Sequence, residues 1–197
     1  SSSASVYGDA VETPMTEEHP YNNRTFYGAT KIAGEHMLRS FNERFGLDYV
    51  GLRYMNVYGP RQDYKGTYTA VMMKMLDRLD DGNPPIVFGD GSQSYDFIYV
   101  EDVARANIHA IKADNTDEFY NVGRGVETTI NELAKLILDI TNSDLEIDYR
   151  EDEGETFVTR RVGSTEKAKQ DLGFTAEVDL REGMKSLIRW RNQQDDT

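Results

Sequence analysis

Residues 25–54, TFYGATKIAGEHMLRSFNERFGLDYVGLRY, decide the fold class, because a helical pattern is followed directly by a strand pattern. Apolar side chains recur near one stripe over residues 25–45, and Gly46 is a typical stop signal for the predicted helix. Residues 48–54 favour a strand. A helix and a strand in this order are typical of an α/β protein.

The same alternation continues along the chain, without internal repeats or low-complexity segments. We predict further strands over residues 85–88, 95–100, 119–122 and 145–149, and further helices over residues 67–80, 101–113, 130–141, 165–172 and 180–191. Thr128 or Thr129 is the predicted cap of the helix at residue 130. Residues 55–66 and 151–159 are predicted loops, and residues 192–197 are predicted to be disordered.

Composition limits the classes of function. The net charge of −13 argues against a general nucleic acid binder, although it leaves room for one local basic pocket for a diphosphate. The sequence has no cysteine, so it offers no thiolate metal site, and this is compatible with the reducing cytoplasm in which we expect the protein. No apolar run reaches membrane-spanning length, so we expect no membrane partner.

Tyr27 and Lys31 are the clearest candidates for chemistry. Side chains four residues apart on a helix project from the same face, about one turn apart. A lysine ammonium in such a position can lower the pKa of a neighbouring phenol, which makes a tyrosine usable as a base. The alternative is a half-buried aromatic residue beside a solvated lysine.

Five segments resemble, in the same order, the extended short-chain dehydrogenase/reductase family, and within it the nucleotide-sugar epimerases. They are SSSASVYG from Ser1, YGATK from Tyr27, LRYMNVYGPRQ from Leu52, GDGSQSYDFIYVEDV from Gly89 and FYNVG from Phe119. A tyrosine and a lysine at this spacing are common by chance, whereas the ordered series is specific. With KAKQDLGF near the end, the resemblance spans nearly the whole chain.

The resemblance implies an α/β fold with an incomplete Rossmann-type domain, which is a doubly wound parallel sheet, and a smaller α/β substrate-binding domain. Residues 1–55 and 95–122 would form the dinucleotide-binding part, and residues 56–94 and 123–197 the substrate domain. No glycine-rich turn follows a strand, and the first residues are similar to the far end of a strand. We therefore expect the C-terminal part of a longer enzyme, which alone binds NAD poorly.

Carried over to matching positions, the resemblance implies three catalytic residues, NAD as the cofactor and no metal. Tyr27 would transfer the proton, and Lys31 would hold the nicotinamide ribose and assist the phenol. Ser3 would hydrogen-bond the reacting sugar oxygen, and Ser5 is similar to a second hydroxyl near the sugar. A serine in a turn at a strand end is the alternative for Ser3.

Four further positions would bind ligands by the same resemblance. Tyr54 and Asn56 belong to a segment that passes beneath the nicotinamide and then reaches the sugar diphosphate, so both are expected to contact the cofactor and Asn56 also the substrate. Arg61 would extend the phosphate site. Phe88 would pack near the nucleotide base. The alternatives are an asparagine in a turn, a solvated arginine and an apolar core residue.

Two departures from the family pattern bear on the substrate, which the resemblance implies to be a nucleoside diphosphate sugar. Tyr95 and Asp152 stand where the family has arginines that pair with the diphosphate. Arg61, Arg160 and Arg161 are the candidates to replace them. The alternative is a substrate other than an ordinary nucleoside diphosphate sugar.

The segment that begins at Ser1 distinguishes between the reactions that members of the family catalyse. Dehydratases of the family carry an Asp–Glu pair where this chain has Ala4 and Ser5, so the carboxylates for water elimination are missing. The expected function is NAD-dependent epimerisation through a transient keto sugar. The alternatives are a reductase or dehydrogenase with net redox output, and an inactive fragment that binds no cofactor. The resemblance also implies a homodimer that packs through the helix of Tyr27.

Overall fold

A computed structural model describes residues 1–63, 70–151 and 158–195. The strands are β1 (Ser2–Ser3), β2 (Val50–Tyr54), β3 (Asn56–Tyr58), β4 (Ile86–Phe88), β5 (Ser94–Tyr99), β6 (Glu118–Val122), β7 (Glu127–Thr129), β8 (Asp148–Arg150) and β9 (Arg160–Arg161). The helices are α1 (Phe26–Phe45), α2 (Val71–Asp80), α3 (Val100–Lys112), α4 (Ile130–Thr141), α5 (Glu166–Leu172) and α6 (Leu180–Asp195). A short 3₁₀ turn, Ala4–Val6, follows β1.

The first sheet is parallel and has the strand order β1-β2-β6. Ser3 pairs with Tyr54 of β2, and Tyr54 pairs with Val122 of β6, so the carboxyl ends of the three strands lie side by side. Parallel strands require long crossover connections, and α1 and α3 provide them here. The predicted strand end in the serine segment is confirmed, and so is the α/β fold class.

The remaining strands form two smaller groups. Strand β5 is the centre of the first group: it pairs in parallel with β3 and β9 and antiparallel with β7. In the second group β4 pairs in parallel with β8. The strand β5 therefore joins the segment that follows β2 to the segment around residue 160.

Two apolar clusters form the core, and β5 contributes to both. Phe97 and Tyr99 belong to the cluster that holds the methionines of α2, whereas Ile98 belongs to the cluster around β2 and β6. Successive side chains of a strand point to opposite faces, so one strand can serve two clusters. The division of the chain into a cofactor domain and a substrate domain stays a prediction.

The long predicted helices are confirmed. Helices α1, α3, α4 and α5 agree with prediction within one residue at each end. Gly46 ends α1 in the left-handed region with a φ of 63°, as its stop signal indicated. Thr129 caps α4 in a capping box with Glu132, which decides between the two predicted caps. Within the described ranges, no helix has the length and apolar character needed to cross a bilayer.

Three predictions differ from the structure. The predicted loop over residues 55–66 contains β3, which is held by pairing with β5. The predicted strand over residues 145–149 lies instead at β8, where β4 supplies its partner. Residues 192–195 were predicted to be disordered but continue α6, because Arg191 pairs with Asp80 of α2 at 2.5 Å. Predictions for residues 64–69, 152–157, 196 and 197 lie outside the described residues.

Candidate active site

Helix α1 begins beside the 3₁₀ turn after β1 and brings the predicted tyrosine and lysine together. Thr25 caps the helix, because its Oγ1 accepts a hydrogen bond from the Gly28 N–H at 3.0 Å. The Lys31 Nζ lies 5.5 Å from the centre of the Tyr27 ring and donates to the Ser1 carbonyl oxygen at 3.2 Å. Tyr27 is 55% exposed. The pair is thus adjacent and open to a ligand.

Ser3 and Ser5 form a small hydroxyl group at the carboxyl end of β1. The Ser3 Oγ accepts from the Ser5 N–H at 3.1 Å and donates to the Ser5 Oγ at 3.2 Å. Both residues are half-buried. The alternative for Ser3, a serine in a turn at a strand end, agrees with the hydrogen bond that its Oγ accepts from the backbone. The same hydrogen bonds hold the two hydroxyls in place.

Gly28, which the sequence analysis did not single out, brings α1 close to the hydroxyl group. A Cβ at this position would lie 2.5 Å from the Ser5 carbonyl oxygen, so only glycine allows the observed approach. Gly28 follows Tyr27 directly, and the close contact therefore places Tyr27 beside the segment of Ser3. A glycine in the first turn of a helix is unfavourable by itself and was the available signal.

A cleft of about 890 Å³ lies beyond the carboxyl end of β2. It is lined by Gln93, which precedes β5, and by side chains of β3, α2, β4 and β5, which include Asn56, Val57, Val71, Lys74, Met75, Arg78, Ile86, Phe88, Tyr95 and Phe97. Phe88 keeps 51% of its surface exposed on this wall, which excludes the core alternative. The wall is mainly apolar with a few polar groups, as in small-molecule sites generally.

The N-terminus of α2 opens on the cleft. Ala70 precedes the helix and provides no side-chain cap, and both Ala70 and Val71 line the cleft. The first N–H groups of a helix carry a partial positive charge and favour anions. The Asn56 amide also lines the cleft, although its Nδ2 already donates to the Asp96 carbonyl oxygen at 3.2 Å.

Asp96 is a further residue that the sequence analysis missed. Its carboxylate is buried and accepts hydrogen bonds from the N–H groups of Arg124 at 2.9 Å and Gly125 at 2.8 Å. Burial raises the pKa of Asp96 to about 6, although both hydrogen bonds oppose the shift. Asp96 thus fixes the loop after β6 against β5, next to Asn56. A single acid within an otherwise apolar strand was the available signal.

Two predicted binding residues lie apart from the cleft. The Tyr54 hydroxyl donates to Asn107 Oδ1 at 3.0 Å and lies 3.3 Å from the Ser1 Oγ, so Tyr54 is beside the segment that Lys31 contacts. Arg61 is exposed on a turn with a φ of 68° and is not one of the described residues that line the cleft. The ligand contacts of both residues stay predictions.

The arginines considered as replacement cations differ in their surroundings. Arg160 forms a bidentate pair with Glu127, with Nε–Oε1 at 2.7 Å and Nη2–Oε2 at 2.6 Å. Arg161 is half-buried, and its Nε and Nη2 donate to the Gly8 carbonyl oxygen at 3.4 and 3.3 Å. Asp152, the second departure from the family pattern, lies outside the described residues.

The chain combines a parallel sheet that has hydroxyl groups at a strand end, a tyrosine and a lysine on the adjoining helix, and a cleft beyond the next strand. These features define an α/β protein with a Rossmann-type site. Residues 1–123 match the family model described as the NAD dependent epimerase/dehydratase family, and the chain belongs to that family.

Similar proteins agree with this assignment. A putative UDP-glucose 4-epimerase of Methanocaldococcus jannaschii is 39% identical over all of this chain and 63% of its own length. The structure of a UDP-N-acetylglucosamine 4-epimerase from Methanobrevibacter ruminantium, in complex with UDP-N-acetylmuramic acid, is 35% identical with a TM-score of 0.91. A UDP-glucose 4-epimerase from Thermotoga maritima, solved with UDP-glucose, has the same identity and TM-score. Both matches cover 98% of this chain and 62% of the solved chain. The chain therefore spans about three fifths of the length of these relatives.

Proposed function

We propose that this chain carries the catalytic tyrosine and the substrate cleft of an NAD-dependent epimerase that acts on a nucleoside diphosphate sugar. One observation carries the proposal: the exposed Tyr27 and its neighbour Lys31 adjoin the hydroxyls of Ser3 and Ser5 at a strand end. Family membership and the UDP-sugars bound in the similar structures support the same conclusion.

Tyr27 is the proton-transfer group of the proposed reaction. As a phenolate it takes the proton of the sugar hydroxyl while hydride leaves the same carbon, so that the carbon becomes a carbonyl. The keto sugar then rotates within the site, so that its other face points towards the hydride. Hydride returns to its opposite face and the phenol returns the proton. Atoms and electrons balance over the cycle, and the net result is inversion at one carbon.

The residues around Tyr27 fit a nicotinamide dinucleotide. NAD, when bound, supplies the hydride acceptor and returns the hydride within the same turnover. The Lys31 ammonium has three donors and uses one on the Ser1 carbonyl oxygen among the described residues, so donors remain for ribose hydroxyls. Its fixed charge also stabilises the phenolate, more strongly in a dry site than in water.

The segment of Ser3 favours epimerisation over dehydration. Ser3 and Ser5 offer hydroxyls that can hold the reacting sugar oxygen and relay its proton. Elimination of water needs a further acid and base near the sugar. Ala4 is buried, and neither it nor Ser5 can provide a carboxylate there.

We place the nucleotide in the cleft. The exposed ring of Phe88 suits a base, because aromatic rings stack on nucleotide bases. The N-terminus of α2, to which Ala70 gives no side-chain cap, suits an anionic diphosphate. The sugar then reaches Ser3 and Tyr27, since Asn56 on the cleft wall is only two residues beyond Tyr54, the β2 partner of Ser3.

Tyr27→Phe in the full natural chain tests the proposal. We expect the variant to keep bound NAD and to lose epimerisation of UDP-glucose or UDP-N-acetylglucosamine, measured by separating the product sugars. Tyr49→Phe, at the amino end of β2, is the matched control and should stay active. An active Tyr27→Phe variant would refute the mechanism. A net change in nicotinamide absorbance with a sugar substrate would instead indicate the reductase or dehydrogenase.

We further propose that two copies of the chain associate through α1. Within this helix only Gly28 and Glu35 are buried, whereas Met37, Phe41 and Phe45 lie at intervals of four residues and are exposed. Such a stripe of large apolar side chains favours burial against a partner. A second copy of the same helix offers a matching apolar stripe.

A further inference from the structure

One carboxylate oxygen of Glu35 accepts hydrogen bonds from two neighbouring strands. The Ser2 Oγ donates to Glu35 Oε1 at 2.6 Å, and the Arg53 Nε donates to the same oxygen at 2.9 Å. Ser2 of β1 and Arg53 of β2 are also register partners in the parallel sheet. All three residues are buried. A single side chain of α1 therefore holds β1 and β2 at the same register position.

Glu35 continues the row of Tyr27 and Lys31 along α1. Residues at intervals of four lie on one face of a helix, so the three side chains form a line about two turns long. The Lys31 Nζ donates to the Ser1 carbonyl oxygen at 3.2 Å, and Glu35 accepts from the Ser2 hydroxyl one residue later. Two successive residues of the serine segment thus contact two successive members of the row.

Strand β1 is short, so contacts from its side chains matter for its position. It consists of Ser2 and Ser3, and backbone pairing with β2 fixes its register in the sheet. The distance from the sheet to a helix packed on it is set by side chains instead. Ser3 lies between two contacts with α1, which are the close approach of Gly28 to the Ser5 carbonyl oxygen and the hydrogen bond from Ser2 to Glu35.

We propose that Ser2 is a positioning residue, whose hydrogen bond to Glu35 sets the distance between the Ser3 hydroxyl and the Tyr27 phenol. The inference rests on the proposed function, in which both of these groups act on the same sugar oxygen. Ser2 acts through its neighbours, because its buried hydroxyl is already used on Glu35. Proton transfer depends strongly on such distances, and a displacement of about 1 Å can lower a rate about a hundredfold.

The experiment compares Ser2→Ala with Tyr21→Phe in the full natural chain at saturating NAD. Each variant removes one hydroxyl that donates to the Glu35 carboxylate at 2.6 Å, but only the Ser2 hydroxyl belongs to β1. Epimerisation of UDP-glucose or UDP-N-acetylglucosamine gives kcat and KM. The temperature is one at which thermal unfolding shows every variant to be folded.

We expect Ser2→Ala to lower kcat about ten- to hundredfold and to change KM by less than about threefold. KM changes little because Ser2 is not one of the described residues that line the nucleotide cleft. Tyr21→Phe is the matched control, and its kcat should stay within about twofold of the natural value. Ser2→Thr keeps the hydroxyl and suits a strand, so it should restore most of kcat.

Three results would overturn the inference while the proposed function stands. Natural kcat in Ser2→Ala would show that the hydrogen bond does not position the site. An equal loss in Tyr21→Phe would show that the effect arises from Glu35 alone and not from its link to β1. A loss that Ser2→Thr does not reverse would show that the hydroxyl is not its cause. If the natural chain epimerises no UDP-sugar, the proposed function fails and the inference fails with it.

Discussion

Arg53 and Glu35 form an ion pair, with 2.7 Å between Nη2 and Oε2, that lies almost completely out of solvent and joins β2 to the middle of α1. Arg53 also donates to the Tyr7 hydroxyl at 2.8 Å, and the Ser2 Oγ donates to Glu35 Oε1 at 2.6 Å. Since α1 buries only Gly28 besides Glu35, a charged group holds the helix of Tyr27 on the sheet.

The pKa values of this pair follow from the contacts. Burial opposes ionisation of Glu35, yet hydrogen bonds from Arg53, Ser2 and Tyr21 hold its pKa below the ordinary value. Burial likewise works against the charge of Arg53, and the hydrogen bond to Glu35 holds its pKa above the ordinary value. Both side chains are therefore charged at neutral pH, and each depends on the other.

Glu35→Gln should destabilise the protein by about 3–5 kcal/mol, because it leaves the Arg53 guanidinium buried without its counter-charge. The free energy of unfolding is measured by urea denaturation. Glu43→Gln on the exposed face of the same helix is the control, with an expected change within about 0.5 kcal/mol. If Glu35→Gln lowers the free energy of unfolding by less than about 1 kcal/mol, water or a shift of the neighbouring structure stabilises the Arg53 charge. The ion pair would then not be what holds α1 on the sheet.

Two glycines of α1 should respond in opposite directions to alanine. Gly28→Ala introduces a Cβ 2.5 Å from the Ser5 carbonyl oxygen, so we expect a loss of about 1–3 kcal/mol. Gly34 has no neighbour within 4 Å of an added Cβ, and Gly34→Ala should gain about 0.5–1 kcal/mol from helix propensity. Urea denaturation of both variants gives the comparison. Equal effects would show that α1 does not approach the serine segment as described.

Local signals made the long elements predictable. Thr25 and Gly46 mark the two ends of α1, and the apolar stripe between them is long enough to identify a helix. The same holds for α4, whose Thr129 cap precedes a strongly periodic segment. In these segments the residues that specify the structure are close together in the sequence.

Strands β3, β7 and β9 and the buried pairs could not be predicted, because their causes are distant in the sequence. Strand β9 has two residues, both arginines, and exists only because β5 lies beside it. The carboxylate of Glu127 distinguishes Arg160 from Arg161, although the two are neighbours in the chain. The spacing of Tyr27 and Lys31 made that pair visible in the sequence, and the roles of Tyr27, Lys31 and Ser3 came from a resemblance. The roles of Gly28 and Glu35 depend on packing against residues distant in the sequence.

Asp96 should give the protein an unusual dependence of stability on pH. Its pKa is about 6 in the folded protein against an ordinary value of 3.8, so the folded state binds this proton more tightly than the unfolded state. The stabilisation is fully present below pH 3.8 and is lost as the pH rises through about 6. The difference amounts to about 3 kcal/mol.

Asp96→Asn isolates this contribution, because the amide does not titrate. Other carboxylates change stability in the opposite direction, so the quantity to follow is the unfolding free energy of the natural protein minus that of the variant. We expect this difference to fall by about 2.4 kcal/mol between pH 4 and pH 7 in urea denaturation series, because at pH 4 part of the full effect is already lost. A constant difference across this range would show that the pKa of Asp96 is not raised.

The apolar stripe of α1 predicts self-association that depends on one face of the helix. Met37, Phe41 and Phe45 are exposed, and the rings of Phe41 and Phe45 are 5.6 Å apart, so they form one continuous surface. Phe41→Glu places a charge in its centre and should shift the protein from dimer to monomer in size-exclusion chromatography with light scattering, because a buried unpaired carboxylate is costly. Ser40→Glu adds the same charge on the neighbouring face and should leave the dimer intact. A monomeric natural protein at micromolar concentration would contradict the association, and an equal effect of both variants would show that it depends on net charge rather than on this stripe.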